Sequence, residues 1–86
     1  MELDYKKIAE DIISEVGKDN IELVSYCATR LRLIVKNREQ IKDAEIEKIE
    51  GVVGVFYNSG QYQIVLSKYN VIAVYDEMAA LGIRTL

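Results

Sequence analysis

The run Cys27-Ala28-Thr29-Arg30-Leu31-Arg32-Leu33-Ile34-Val35 joins the chain's one cysteine to a hydroxyl, two arginines and an apolar alternation. From Arg30 onward the period is two: Arg30, Arg32 and Ile34 share one face, and Leu31, Leu33 and Val35 the other. That pattern predicts a half-buried strand. Its pleat sends both guanidinium groups to the same side, about 6–7 Å apart along the backbone. The thiol stands three residues earlier, at the strand's entrance. A sulfur beside two held cations suits a dianion such as a phosphoryl group.

On the N-terminal side, Ile21-Glu22-Leu23-Val24-Ser25-Tyr26 reads as a short strand ending at Cys27. The break between the two strands therefore falls at the cysteine. A loop there exposes the sulfur and leaves the amides of Ala28 and Thr29 without ladder partners, free to donate. Before it, Lys18-Asp19-Asn20 is a turn. Residues 4–16 predict a helix: Tyr5, Ile8, Ala9, Ile12, Ile13 and Val16 form one apolar stripe, with Asp4 as N-cap and Gly17 as stop. Its polar residues Lys6, Lys7, Glu10, Asp11 and Glu15 read as a solvated face.

On the C-terminal side, residues 37–42 are a polar connection. Asp43 caps a second helix that turns Ile46 and Ile49 inward and closes at Gly51. Strands follow over 52–57 and 61–66, joined by Asn58-Ser59-Gly60, with Gly60 available for positive φ. In the second of these, Gln61, Gln63 and Val65 share one face and Tyr62, Ile64 and Leu66 the other. The glutamines belong either to solvated sheet surface or to the arginine face. Asn70 caps a last helix over 71–81, with Val71, Val74, Tyr75, Met78 and Leu81 as its stripe and Gly82 as its end. The order α-β-β-α-β-β-α predicts an α+β fold: a four-stranded, mainly antiparallel sheet with three helices packed on one face. Strand order is not readable from the chain. Without an internal repeat, low-complexity tract or proline linker, residues 1–86 are expected to be a single domain.

The net charge of -3 and the pI near 4.9 argue against a nucleic-acid surface, which carries a basic excess. With no histidine and one cysteine, a transition-metal site is not expected, and no cofactor is implied. One cysteine forms no internal disulfide, which fits a reducing compartment. Met1-Glu2-Leu3-Asp4 leads into an amphipathic segment, unlike a signal peptide, and no apolar run approaches the ~20 residues of a membrane span. Direct membrane insertion is therefore not expected.

A lone cysteine is most often a small buried hydrophobe. Cys27 differs in its setting, at a strand entrance with two arginines within five residues, where cations favour thiolate. Arg30 and Arg32 have an alternative use in pairing with surface carboxylates. A phosphotyrosine-type phosphatase keeps five residues between its cysteine and its arginine, which puts the arginine at the position Leu33 occupies here. A dithiol redox site needs a second cysteine, and a cysteine–histidine hydrolase needs a histidine. What remains is a thiolate that receives an activated group and passes it on.

The segment from Asn20-Ile21 through Cys27-Ala28-Thr29-Arg30-Leu31-Arg32-Leu33 resembles the phosphorylation-site signature of enzyme IIB domains of the bacterial sugar phosphotransferase system, in the glucose, β-glucoside and sucrose class. The likeness continues through Gly51-Val52-Val53-Gly54-Val55 and Gly60-Gln61-Tyr62-Gln63-Ile64 and covers nearly the whole chain. It departs at Asn37, usually acidic or glutamine, and at Ser67-Lys68-Tyr69-Asn70, usually a glycine-containing turn. The resemblance implies a phosphoryl relay. Cys27 would take phosphate from a phosphohistidine of an enzyme IIA domain and pass it to a sugar held by a membrane enzyme IIC domain. Arg30 and Arg32 would stabilise charge, Arg30 chiefly in transfer to sugar, and Ala28 and Thr29 would line the phosphate cradle. Such a domain works in the cytoplasm, at the inner face of the cell membrane. A rival reading keeps the fold as a non-catalytic regulatory or docking module. A third makes the chain a small-ligand domain with Cys27 buried.

Overall fold

The computed structural model describes residues 3–86, apart from the side chains of 68 and 69. The expectation placed on Met1 and Glu2 lies outside the described residues. Helix α1 (Tyr5–Val16) starts where Asp4 Oδ1 accepts the Lys7 amide at 3.0 Å, so an acidic side chain satisfies an orphan helix donor. It buries Ile8, Ala9, Ile12 and Val16 and stops at Gly17, whose φ of +98° disfavours any side chain. A Cβ there would also lie 2.7 Å from Gln40 Nε2.

Strands β1 (Ile21–Tyr26), β2 (Arg30–Val35), β3 (Gly54–Asn58) and β4 (Gln61–Val65) form one antiparallel sheet in the order β1-β2-β4-β3. Helices α2 (Asp43–Glu47) and α3 (Lys68–Ala80) join α1 on one side of it. The core lies between these layers. Leu31 and Leu33 of β2, Tyr62 and Ile64 of β4, Ile12 of α1, Ile46 of α2 and Val74 and Met78 of α3 are all fully buried in it. The alternation along β2 is as expected: Leu31, Leu33 and Val35 face the helices, and Arg30, Arg32 and Ile34 the open side.

Local boundaries shift in four places. Lys42, not Asp43, is the N-cap of α2, and the Asp43 carboxylate instead holds Arg38 and the Tyr62 hydroxyl at 2.8 Å each. A carboxylate with two side-chain partners has no need of the helix amides. Ile49 lies beyond the short α2 yet is still buried. β3 starts at Gly54, not at residue 52, although the Val53 amide already donates to Val65 O at 2.8 Å. α3 starts at Lys68, with Ser67 at its cap position, because Asn70 Oδ1 is engaged by the Tyr5 hydroxyl at 2.9 Å, tying α3 to α1.

The expected turn at Lys18–Asn20 is present, and the polar connection over 37–42 has a turn of its own. Short 3₁₀ turns occupy Lys18–Asn20 and Arg38–Gln40. Asn20 is buried, and its side chain donates to Val16 O and Asn37 O and accepts from the Asn37 amide, all within 3.1 Å. It thus pins the end of α1 to the exit of β2. On the far edge, Val24 N donates to Arg84 O and Leu86 N to Val24 O, so the C-terminal residues run parallel along β1 and cover part of that edge.

Candidate functional site: a thiol and two arginines on the open sheet face

The register brings chemistry-bearing residues into rows across the open face. Ser25, Arg32, Gln63 and Phe56 face one another through β1, β2, β4 and β3, and Arg30, Val65 and Gly54 make the next row. Cys27 sits beside them, in the three-residue connection between β1 and β2. Its amide donates to Arg30 O at 2.9 Å and closes the loop, while Leu66 N donates to Thr29 O at 2.9 Å and ties the loop to the end of β4. The Tyr26 and Tyr75 rings, with centroids 4.7 Å apart, brace the approach from α3. The loop is therefore fastened on both sides, and its tip is open: Ala28 and Thr29 are exposed and Cys27 is half-buried. A sulfur in that position is reachable, unlike the buried cysteine of a ligand-binding core.

The sulfur's surroundings favour thiolate. Partial burial by itself pushes the Cys27 thiol up, but the net direction is down from its ordinary value. The Arg32 guanidinium and the amides of Thr29 and Arg30 favour the thiolate and together outweigh burial, and the Arg32 charge adds to them. Arg32 Nε is buried without a hydrogen-bond partner among the described residues. A buried guanidinium donor left unpaired is costly, so it marks a place where an acceptor belongs.

The two arginines, equivalent by sequence pattern, are held differently. Arg32 acts on the thiol, favouring its thiolate. Arg30 Nη1 donates to Gln63 Oε1 at 2.8 Å, and its guanidinium lies over the Phe56 ring, 5.0 Å from the centroid. Neither arginine forms an ion pair among the described residues, where the cations so used are Lys7, Arg38 and Lys48. The Thr29 amide, one of the two expected at the cradle, favours the thiolate, and so does the Arg30 amide. The glutamines do lie on the arginine face, and Gln63 is only 8% exposed there. Gln63 and Phe56 escaped the sequence reading as site residues because their proximity to Arg30 depends on β4 lying between β2 and β3. The alternation of Gln61 and Gln63 was the available signal.

The α+β sheet thus carries a half-buried thiol in a fastened loop, beside two arginines that no carboxylate pairs among the described residues. Comparison with known proteins gives it a family. Residues 10–41 match the family described as phosphotransferase system, EIIB. The chain is 44% identical over 80 residues to the PTS system sucrose-specific EIIBC component of Pasteurella multocida, covering 92% of this chain and 17% of that protein. It is also 44% identical over 75 residues to the sucrose-specific EIIBC component of Bacillus subtilis, covering 86% and 16%. The crystal structure of one domain of the PTS system IIabc component from Clostridium difficile superposes with a TM-score of 0.94 at 50% identity, covering 95% of this chain and 86% of that one. The chain belongs to the EIIB family of the phosphotransferase system, in its glucose, β-glucoside and sucrose class. It spans about a sixth of the length of these two sucrose-specific relatives. No helix among the described residues is long and apolar enough to cross a membrane.

Proposed function

We propose that residues 1–86 act as a single phosphocysteine domain, the EIIB component of a protein-phosphocysteine–sugar phosphotransferase. The observation that carries this reading is the half-exposed Cys27 sulfur, faced by the Arg32 guanidinium and the amides of Thr29 and Arg30. In the first step the Cys27 thiolate attacks the phosphorus of a phosphohistidine on an EIIA partner. The S–P bond forms, the P–N bond breaks and the imidazole leaves. In the second step a hydroxyl of a sugar held by a membrane EIIC partner attacks the same phosphorus. The O–P bond forms, the thiolate departs, and a base on the sugar-binding side takes the hydroxyl proton.

Through both steps charge spreads over the phosphoryl oxygens, so the protein's task is positioning and electrostatic stabilisation. Arg32, with its unpaired buried Nε, meets the group at the sulfur. Thr29 and the amides of Ala28, Thr29 and Arg30 line the cradle, and Arg30 brings the second charge for delivery to sugar. Strand-held donors need little reorganisation when the phosphoryl group arrives. The EIIBC names of the relatives support an EIIC partner joined to such a domain, and a setting at the inner face of the cell membrane.

Mass spectrometry after incubation with a phosphorylated EIIA donor tests the reading. Wild type should gain one phosphate on Cys27, labile as a thiophosphate ester is, and Cys27→Ser should gain no stable phosphate. A wild-type chain that binds the donor yet never carries phosphate is instead a docking module.

A further inference from the structure

The different handling of the two arginines calls for a cause, and the open face supplies one. Gln63 is a nearly buried polar side chain on a sheet face that is otherwise partly solvated. Its amide has a defined orientation, because Nε2 donates to Gln61 Oε1 at 3.3 Å and so turns Oε1 towards Arg30 Nη1 at 2.8 Å. Phe56, in register with Gln63 on β3 and 54% exposed, supplies the ring beneath the same guanidinium. One N–H of Arg30 is thereby used and the rest of its planar fork is left for another acceptor. The partner is neutral, so the full positive charge stays available, which a carboxylate at this position would cancel.

We infer that Gln63, oriented by Gln61, is a positioning residue for phosphoryl transfer: it holds Arg30 over the Phe56 ring with its charge uncompensated, beside Arg32 on the same face. The inference rests on Cys27 being the phosphoryl carrier. It gives the face a division of labour. Arg32 maintains the thiolate, whereas the Gln61–Gln63–Phe56 group sets where the second guanidinium waits. Gln63 acts only through Arg30 and touches no reacting atom.

The test is a double-mutant cycle on Arg30 and Gln63, read as rates of phosphoryl transfer from Cys27 to sugar in the assembled system, with thermal unfolding and Cys27 alkylation measured in parallel. Arg30→Ala should slow transfer by about 100-fold, on the scale of losing one pre-aimed donor. Gln63→Leu, which keeps volume and strand propensity, should cost about tenfold through misplacement of the guanidinium. Gln63→Glu should slow transfer towards the Arg30→Ala level by drawing Arg30 into an ion pair, a loss that a structural role for the amide does not produce. Arg30→Ala combined with Gln63→Leu should be no slower than Arg30→Ala alone, because Gln63 works only through Arg30. All variants should keep the wild-type alkylation profile, since Arg32 governs the thiolate. Additive losses in the double variant, or a Gln63→Glu protein as fast as wild type, would overturn the inference. A wild-type chain that takes no phosphate on Cys27 overturns the relay itself, and this inference with it.

Discussion

At the scale of single residues, the thiol and its nearest cation make the sharpest expectation. Because the Cys27 pKa lies below the ordinary thiol value, its alkylation rate should rise with pH through a midpoint lower than that of a free cysteine. Arg32→Ala removes a hydrogen bond and a charge that favour thiolate, so the midpoint should move up. Arg30→Ala should leave it in place. The linked stability has a definite sign: the thiolate's contribution is complete above the unfolded thiol's pKa and is lost as pH falls through the lowered folded value. Asn20 offers a test of structure alone. Asn20→Ala strands the Asn37 amide and the carbonyls of Val16 and Asn37, and should cost about 2–3 kcal/mol in chemical denaturation. The sequence marked this asparagine as a turn former and as part of the resemblance. Two of its three bonds are to Asn37, 17 positions away, which local patterning does not reveal.

Among elements, the β3–β4 hairpin shows local chemistry determining geometry. Asn58 pairs with Gln61, leaving Ser59 and Gly60 as a two-residue turn with φ of +52° and +81°. Positive φ at both positions is the arrangement of a type I′ turn, in which asparagine sits more easily than serine. Ser59→Asn should therefore stabilise the domain by about 0.5 kcal/mol, a gain of a few degrees in thermal midpoint for a chain of this size. The period-two strands and the α1 stripe were legible because burial on one face imposes its period on the sequence. Helix starts were less so. Asp43 and Asn70 both have capping chemistry, but Arg38 with Tyr62 claims the first and Tyr5 the second. A side chain with two possible uses is decided by tertiary neighbours.

For the whole molecule, one core joins all three helices to the sheet, so a cavity anywhere in it should be felt everywhere. Leu31→Ala, one residue from both arginines but on the opposite face, should cost about 2–5 kcal/mol of global stability. Unfolding monitored by far-ultraviolet circular dichroism and by tyrosine fluorescence should still coincide, as in a single cooperative domain. Strand order lay beyond the sequence, because hairpin-linked pairs can join through either edge. That order brings β4 alongside β2 and so decides which polar residues meet Arg30.

The tie between Leu66 N and Thr29 O makes a distant amide a witness to events at the loop tip. Loading of Cys27 that tightens the loop should retard deuterium uptake at Leu66, whereas Thr29→Gly should hasten it. Occupancy of the sulfur then becomes measurable at a backbone amide beyond the end of β4, without touching the thiol.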